Sequence, residues 1–300
     1  IPVPWHHMNF SNGHHHITWI EPGNTYGERD VLLRTWDKET GMYTDLQTIS
    51  TNHNAIQKPV VERINDQTLI MSWMQSRHTP ETINSINSDD VIEYLARSQD
   101  IWFAIYDLET GSVSVMKQLD DDLSTFHSGR AEANPQITVL SDSRAMLVWQ
   151  VADLENHESE IWYTLIENIN GQWIEMEPSV LVELPGIQSQ LKIASFDVDR
   201  AVAVWLNTGE DENPQNRIMS STFNGSDWEI PVEIMPADSN IHYNYLDMDF
   251  EKDLGAIAFT SYSTEMGIEK SEAIAVLPWD NVTQSWSQDP PAVIRSEERR

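Results

Sequence analysis

Cysteine is missing from all 300 residues, which excludes disulfides, thiolate metal centres and cysteine nucleophiles together. Basic residues are scarce: 18 Lys and Arg stand against 48 Asp and Glu, a formal net charge of −30. A surface of that sign repels phosphate backbones and anionic membranes, so neither is an expected partner. Its plain consequence is a solvated acidic surface suited to a salty exterior, with cation binding as the alternative. No apolar run approaches the roughly 20 residues of a membrane-spanning helix, so no membrane span is expected. A charged-then-apolar leader is missing at Ile1, so a signal peptide is expected to be absent or removed, with a secreted or cell-surface location. Gly-rich phosphate loops, HExxH, GxSxG and the dinucleotide fingerprint are also missing. Helical periodicity is confined to residues 89–97, DDVIEYLAR.

What is present is ample apolar material, 40% of residues with 12 Trp, and a unit that recurs. Residues 134–150 show it best: NPQITVL, a polar Ser141-Asp142-Ser143 turn, then RAMLVWQ. Two apolar runs around a turn cluster, with Pro confined to the start, are the signature of a β-hairpin. An aromatic closes the second run of each unit: Trp19, Trp73, Trp149, Trp205 and Phe259, at intervals of 54, 76, 56 and 54 residues. The long interval contains an insertion, residues 74–100. A third strand follows each aromatic (31–36, 101–106, 161–165, 218–223 and 273–277). Turn sequences come next: Asp37-Lys38-Glu39-Thr40-Gly41, Asp107-Leu108-Glu109-Thr110-Gly111, Asn170-Gly171, Asn224-Gly225 and Asp280-Asn281. A fourth strand opens near Tyr43, Trp173, Trp228 and Trp286. Four antiparallel strands repeated about every 55 residues predict an all-β propeller of four-stranded blades. The blades fall near 5–50, 56–120, 133–184, 188–236 and 243–294, in a single domain over 1–300. A two-sheet sandwich is the competitor, but it does not predict one four-strand text five times. Five blades can close as they stand, or the chain can belong to a larger ring.

The phrases NPQITVLSDSRAMLVW, QLKIASFDVDRAVAVW and NRIMSSTFNGSDWEIPVEI resemble the sialidase-type (BNR-like) repeats of exported bacterial propellers. The resemblance implies the fold. Sialidase activity does not follow from it, because the Asp-box is absent and no arginine triad can be placed; Ser141-Asp142-Ser143-Arg144 is at best a degenerate relative of the box.

Strand direction sorts the loops onto two faces. One carries short turns such as Asn12-Gly13 and Asn224-Gly225. The other carries the longer second-to-third loops and the links between blades, and is the expected working face. His6, His7, His53, His127 and His242 fall in the links, and His78 and His157 in second-to-third loops. The links also contain Trp5, Lys58, Arg130, Asn134 and Tyr243, so these residues are expected to ring one mouth. There His and Arg suit a carboxylate or sulfate, while Trp5 and Tyr243 suit stacking on a sugar ring.

A two-residue turn at Asn12-Gly13 sets Ser11 opposite His14, Asn9 opposite His16 and His7 opposite Thr18. Alternation then places His7, His14 and His16 on one side, a set able to meet at zinc or copper. His15 occupies the position of Leu69, Ala145 and Ala201 in other units, which predicts packing for at least some of these rings. Calcium on the loop carboxylates Glu28, Asp30, Asp89, Asp90, Asp211 and Glu212 is the other cofactor reading, though no EF-hand spacing is present. Three functions are open at this level. The first is a propeller binding a glycan or other extracellular ligand, protein partners included. The second is a polysaccharide lyase or glycoside hydrolase using a His or carboxylate at the same mouth. The third is an assembly subunit docking through one face.

Overall fold

The structure is a computed structural model that describes residues 6–11, 13–22, 28–54, 56–76, 82, 85, 98–119, 130–153, 158–209, 215–236, 241–251, 254–265 and 268–295. The expected helix at 89–97 lies outside the described residues. Turn chemistry and period-two burial build five antiparallel sheets in chain order. The first contains β1 (His6–Ser11), β2 (His14–Pro22), β3 (Glu28–Asp37), β4 (Met42–Tyr43) and β5 (Gln47–Asn54). The second contains β6 (Gln57–Asn65), β7 (Thr68–Ser76), β8 (Gln99–Asp107) and β9 (Ser112–Gln118). In the third are β10 (Arg130–Ser141), β11 (Arg144–Asp153), β12 (Glu158–Ile169), β13 (Gln172–Glu175) and β14 (Ser179–Val182). The fourth holds β15 (Ile187–Asp197), β16 (Arg200–Thr208), β17 (Asn216–Phe223) and β18 (Val232–Met235). The fifth holds β19 (Ile241–Glu251), β20 (Leu254–Glu265), β21 (Ile268–Asp280), β22 (Ser285–Trp286) and β23 (Ala292–Arg295). β7 and β8 run on to Ser76 and resume at Gln99, so the insertion is shorter than the expected 74–100.

The chain forms two compact units, Ile1–Asn156 with Ile161–Val180, and His157–Glu160 with Leu181–Arg300. In the first unit Trp73 and Trp149 are fully buried, packed with Met71, Ile101, Phe103 and Leu147. In the second unit, Val204, Leu206, Phe259, Leu277, Trp279 and Trp286 form the core. Second strands β7, β11 and β16 are buried almost throughout, which explains their unbroken apolar text. Trp19 departs from the pattern. β2 alternates, so His16, Thr18 and Ile20 face inward, while Trp19 is half-buried and its indole donates to Glu21 Oε1 at 2.9 Å.

The Asp-x-x-Thr-Gly turns are wider than tight hairpin turns. Asp107 Oδ1 accepts the N–H of Glu109 at 2.9 Å and of Thr110 at 2.8 Å, and Gly111 N donates to Asp107 O at 2.9 Å. Gly111 has φ 67, a left-handed value that a glycine adopts without strain. These backbone donors hold the exposed Asp107 carboxyl below its ordinary pKa. Fourth strands are mostly broken: β4 and β5 both pair with β3, and β22 and β23 both pair with β21. Pro178, Pro231, Pro290 and Pro291 stand near such breaks, as suits outer edge strands.

Candidate functional site

First strands carry a defect that repeats. Lys58, Asn134, Gln190 and Tyr245 have left-handed φ values of 48, 56, 51 and 49. Each lies in a register shift against the neighbouring strand, between Gln57 and Val60, Ala133 and Gln136, Ser189 and Lys192, and Asn244 and Asp247. The first three stand 15 residues before the closing Trp, and Tyr245 stands 14 before Phe259. A bulge of this kind re-aims a side chain and ends the simple alternation. The next residue, Pro59, Pro135, Leu191 or Leu246, is buried and anchors the kink.

Two positions before each bulge the side chain points inward, and the four residues there differ in chemistry: Ile56, Glu132, Gln188 and Tyr243. Gln188, in the second unit, is fully committed to structure. Its Oε1 accepts from Trp205 Nε1 at 2.9 Å and Asn207 Nδ2 at 3.0 Å, while its Nε2 donates to Leu184 O at 3.0 Å. Glu132, in the first unit, is the carboxylic acid among them. Its carboxylate is 2% exposed, and Oε2 accepts the backbone N–H of Ile101 at 2.8 Å.

That bond brings Glu132 of β10 to the start of β8, beside Asp100, which is 1% exposed. Asp100 pairs across β7 with Gln75, whose Oε1 accepts from Trp73 Nε1 at 3.1 Å. Ser76, Ser98, Gln99 and Gln150 are buried in the same region, with Ser76 Oγ 3.0 Å from Ser98 Oγ. Asn134 Nδ2 bonds Gln150 Oε1. Burial pushes the Lys58 ammonium below its ordinary pKa. Two desolvated carboxyl side chains thus lie among amide and hydroxyl groups at the loop ends of β7, β8 and β10.

Several expected site residues take other places. Trp5, His127, His78 and His157 lie outside the described residues, as do Asp89, Asp90, Asp211 and Glu212. Arg130 opens β10 and His53 lies in β5, opposite Arg29, rather than in a free link. The predicted register of β1 and β2 holds, with His7 opposite Thr18, Asn9 opposite His16 and Ser11 opposite His14. It does not produce a metal centre: among the described residues no three His, Asp or Glu gather as ligands. His7 Nδ1 instead accepts the Val61 N–H at 3.2 Å. His16, 1% exposed, has its Nδ1 3.0 Å from Thr35 Oγ1, and desolvation with the nearby Arg63 charge lowers its pKa to about 4. His15 packs on Trp36 with centroids 4.8 Å apart. In the second unit, His242 stacks on Tyr262 at 5.1 Å. Tyr243 is a core residue rather than a stacking platform: it is 3% exposed, lies edge-on to Phe259, and donates its hydroxyl to Pro236 O at 3.1 Å.

Sequence reasoning named Tyr243 and did not single out Asp100, Glu132 or Tyr245. The available signal was spacing: Glu132 precedes Trp149 by 17 residues, as Gln188 precedes Trp205.

No family model matches the sequence, and no curated protein does. Solved structures do match. The α-L-arabinanase of Penicillium chrysogenum, complexed with arabinobiose, aligns over 99% of this chain and 82% of its own, with TM-score 0.50 and 10% identity. The Fusarium graminearum GH93 α-L-arabinofuranosidase aligns over 98% and 93%, with TM-score 0.48 and 8% identity. The endo-arabinase of Bacteroides thetaiotaomicron aligns over 99% and 94%, with TM-score 0.45 and 11% identity. None of these matches ties the repeats to the sialidase type. With five antiparallel sheets in chain order and the Penicillium match, the fold is a β-propeller of four-stranded blades.

Proposed function

We propose that the protein is a polysaccharide-cleaving enzyme, a glycoside hydrolase acting outside the cell, with Asp100 and Glu132 as its working carboxylates. One observation carries the reading: two acids, each almost wholly removed from water, are brought together from different sheets by the Glu132–Ile101 bond. Acids are seldom buried without a task, and glycoside hydrolysis needs a carboxyl pair serving as acid and as base or nucleophile. Gln188 supports the assignment by contrast. At the equivalent place in the fourth sheet an uncharged amide meets the structural need.

Arabinan is the first substrate to test, because the matched Penicillium enzyme is an arabinanase bound to arabinobiose. That argument is one of fold analogy, and the carboxyl pair bears the chemistry. The assay is release of reducing ends from arabinan, xylan, galactan and polygalacturonate by the full chain. Hydrolysis yields saturated ends. A lyase would yield unsaturated, ultraviolet-absorbing ends from polygalacturonate alone. Asp100→Asn and Glu132→Gln, both isosteric, should each reduce the rate by about 10²- to 10⁴-fold. Wild-type rates in both variants would dismiss the pair.

A further inference from the structure

We infer that Tyr245 is a sugar-stacking platform, a saccharide subsite of the second unit set on the bulge of β19. The inference rests on the reading of the protein as one that acts on polysaccharide. It starts from a conformational oddity. Tyr245 holds φ 49, a left-handed value that crowds Cβ against its own backbone in any residue but glycine. A bulky side chain normally occupies such a place in exchange for burial or bonding. Tyr245 has neither: 74% of its surface is exposed, and its side chain makes no hydrogen bond or ring contact among the described residues. Packing therefore does not explain an aromatic here.

The backbone around it is clamped on both sides. Asn216 bonds both ends of Tyr243, accepting its N–H at 2.9 Å and donating to its carbonyl at 2.6 Å. Thr260 Oγ1 donates to Asn244 O at 3.2 Å. Beyond the tyrosine, Leu246 N donates to Gln190 Oε1 at 2.8 Å, and Lys192 Nζ pairs with Asp247 Oδ1 at 3.0 Å. Leu246 and Tyr243 are buried. Asn216, Thr260, Gln190 and Lys192 thus hold the chain on either side of the residue from which one exposed ring projects.

An exposed aromatic on a clamped backbone is a binding device, because no backbone ordering is needed when a ligand stacks on it and a tyrosine has only two side-chain torsions to fix. The neighbours choose the ligand class. Asn244 and the exposed Asp247 lie one residue before and two after the tyrosine in the chain and are of the types that accept sugar hydroxyls, while the ring face suits the apolar C–H face of a sugar. Gln190 sits at the matching bulge of β15, and its side chain is spent on holding Leu246. One bulge of this unit therefore locks the backbone, and the other displays the ring.

The test is native affinity electrophoresis of the full chain in gels containing arabinan, xylan, galactan or polygalacturonate, with thermal melts alongside. At least one polysaccharide should retard the wild type. Tyr245→Phe should bind equally well, whereas Tyr245→Ala and Tyr245→Gly should weaken binding about tenfold or more. Tyr245→Gly should also melt at or above the wild-type temperature, since glycine relieves the strained φ. Failure of every polysaccharide to retard the wild type would overturn the inference. So would undiminished binding by the alanine variant, or a lower melt for glycine, which would make the ring a packing element. Retardation that depends on Tyr245 without any turnover would remove the hydrolase reading and leave the subsite standing. Turnover with binding indifferent to Tyr245 would do the reverse.

Discussion

Glu132 allows structure and chemistry to be separated by two substitutions at one position. Its Oε2 accepts a backbone N–H from Ile101 at 2.8 Å, in a place only 2% exposed. Glu132→Ala removes a charge-assisted bond and leaves that N–H buried with its acceptor gone. Loss of such a bond costs about 1.5 to 3 kcal/mol, and the orphaned donor brings the total toward about 2 to 4 kcal/mol. In a domain of this size the melting temperature should fall by about 4 to 16 °C, at about 2 to 4 °C per kcal/mol. Glu132→Gln keeps an oxygen for Ile101 and nearly the same volume, so it should stay within about 1 kcal/mol of wild type. It nonetheless loses the ionisable group, and reducing-end release should fall by about 10²- to 10⁴-fold. Urea unfolding of both variants, paired with that activity assay, reads the two effects apart. A glutamine variant with wild-type turnover would refute the argument, since Glu132 would then be a backbone clamp and nothing more. An alanine variant as stable as wild type would refute the energetic half.

Three further substitutions test the same reasoning elsewhere. His16 is held near pKa 4 against an ordinary value of 6.5, so the unfolded chain binds its proton first as pH falls. Its contribution is whole above about pH 6.5 and is lost progressively down to about pH 4, for a total of about 2 to 4 kcal/mol. Urea unfolding across that window should show a shallower pH dependence in His16→Leu than in wild type, and equal slopes would reject the assignment. Gln188→Leu removes the acceptor of two buried donors, Trp205 Nε1 and Asn207 Nδ2, and should cost about 2 to 5 kcal/mol by chemical unfolding. Gly186→Ala would set a Cβ 2.1 Å from the carbonyl oxygen of Thr208, at φ +89. It should destabilise by at least about 2 kcal/mol, and a neutral result by thermal melt would contradict the backbone placed here.

Much was legible in the residues alone because it is local. With only two residues between Ser11 and His14, the register of β1 on β2 leaves no other pairing for His7, Asn9 and Ser11. The closing aromatics and turn residues marked five sheets for the same reason: strand alternation and turn dihedrals depend on neighbours a few residues away.

Tertiary structure decided what lay beyond that range. A bulge shifts the alternation within β19, burying Tyr243 and exposing Tyr245, so the tyrosine named from the sequence lies in the core. His7, His14 and His16 share a strand pair, yet backbone of β6 and a threonine of β3 engage two of those rings, so the shared side does not become a shared centre. That Asp100 and Glu132, among 48 acids, are stripped of water was unreadable from composition. Desolvation comes from sheets packing over a side chain, and the group that meets Glu132 is a backbone N–H 31 residues away in another sheet. The sequence by itself determined the strands, their turns and their repetition. The packing of one sheet against the next determined which side chains were left with chemistry to do, because burial is a property of contacts between segments that the order of residues does not bring together.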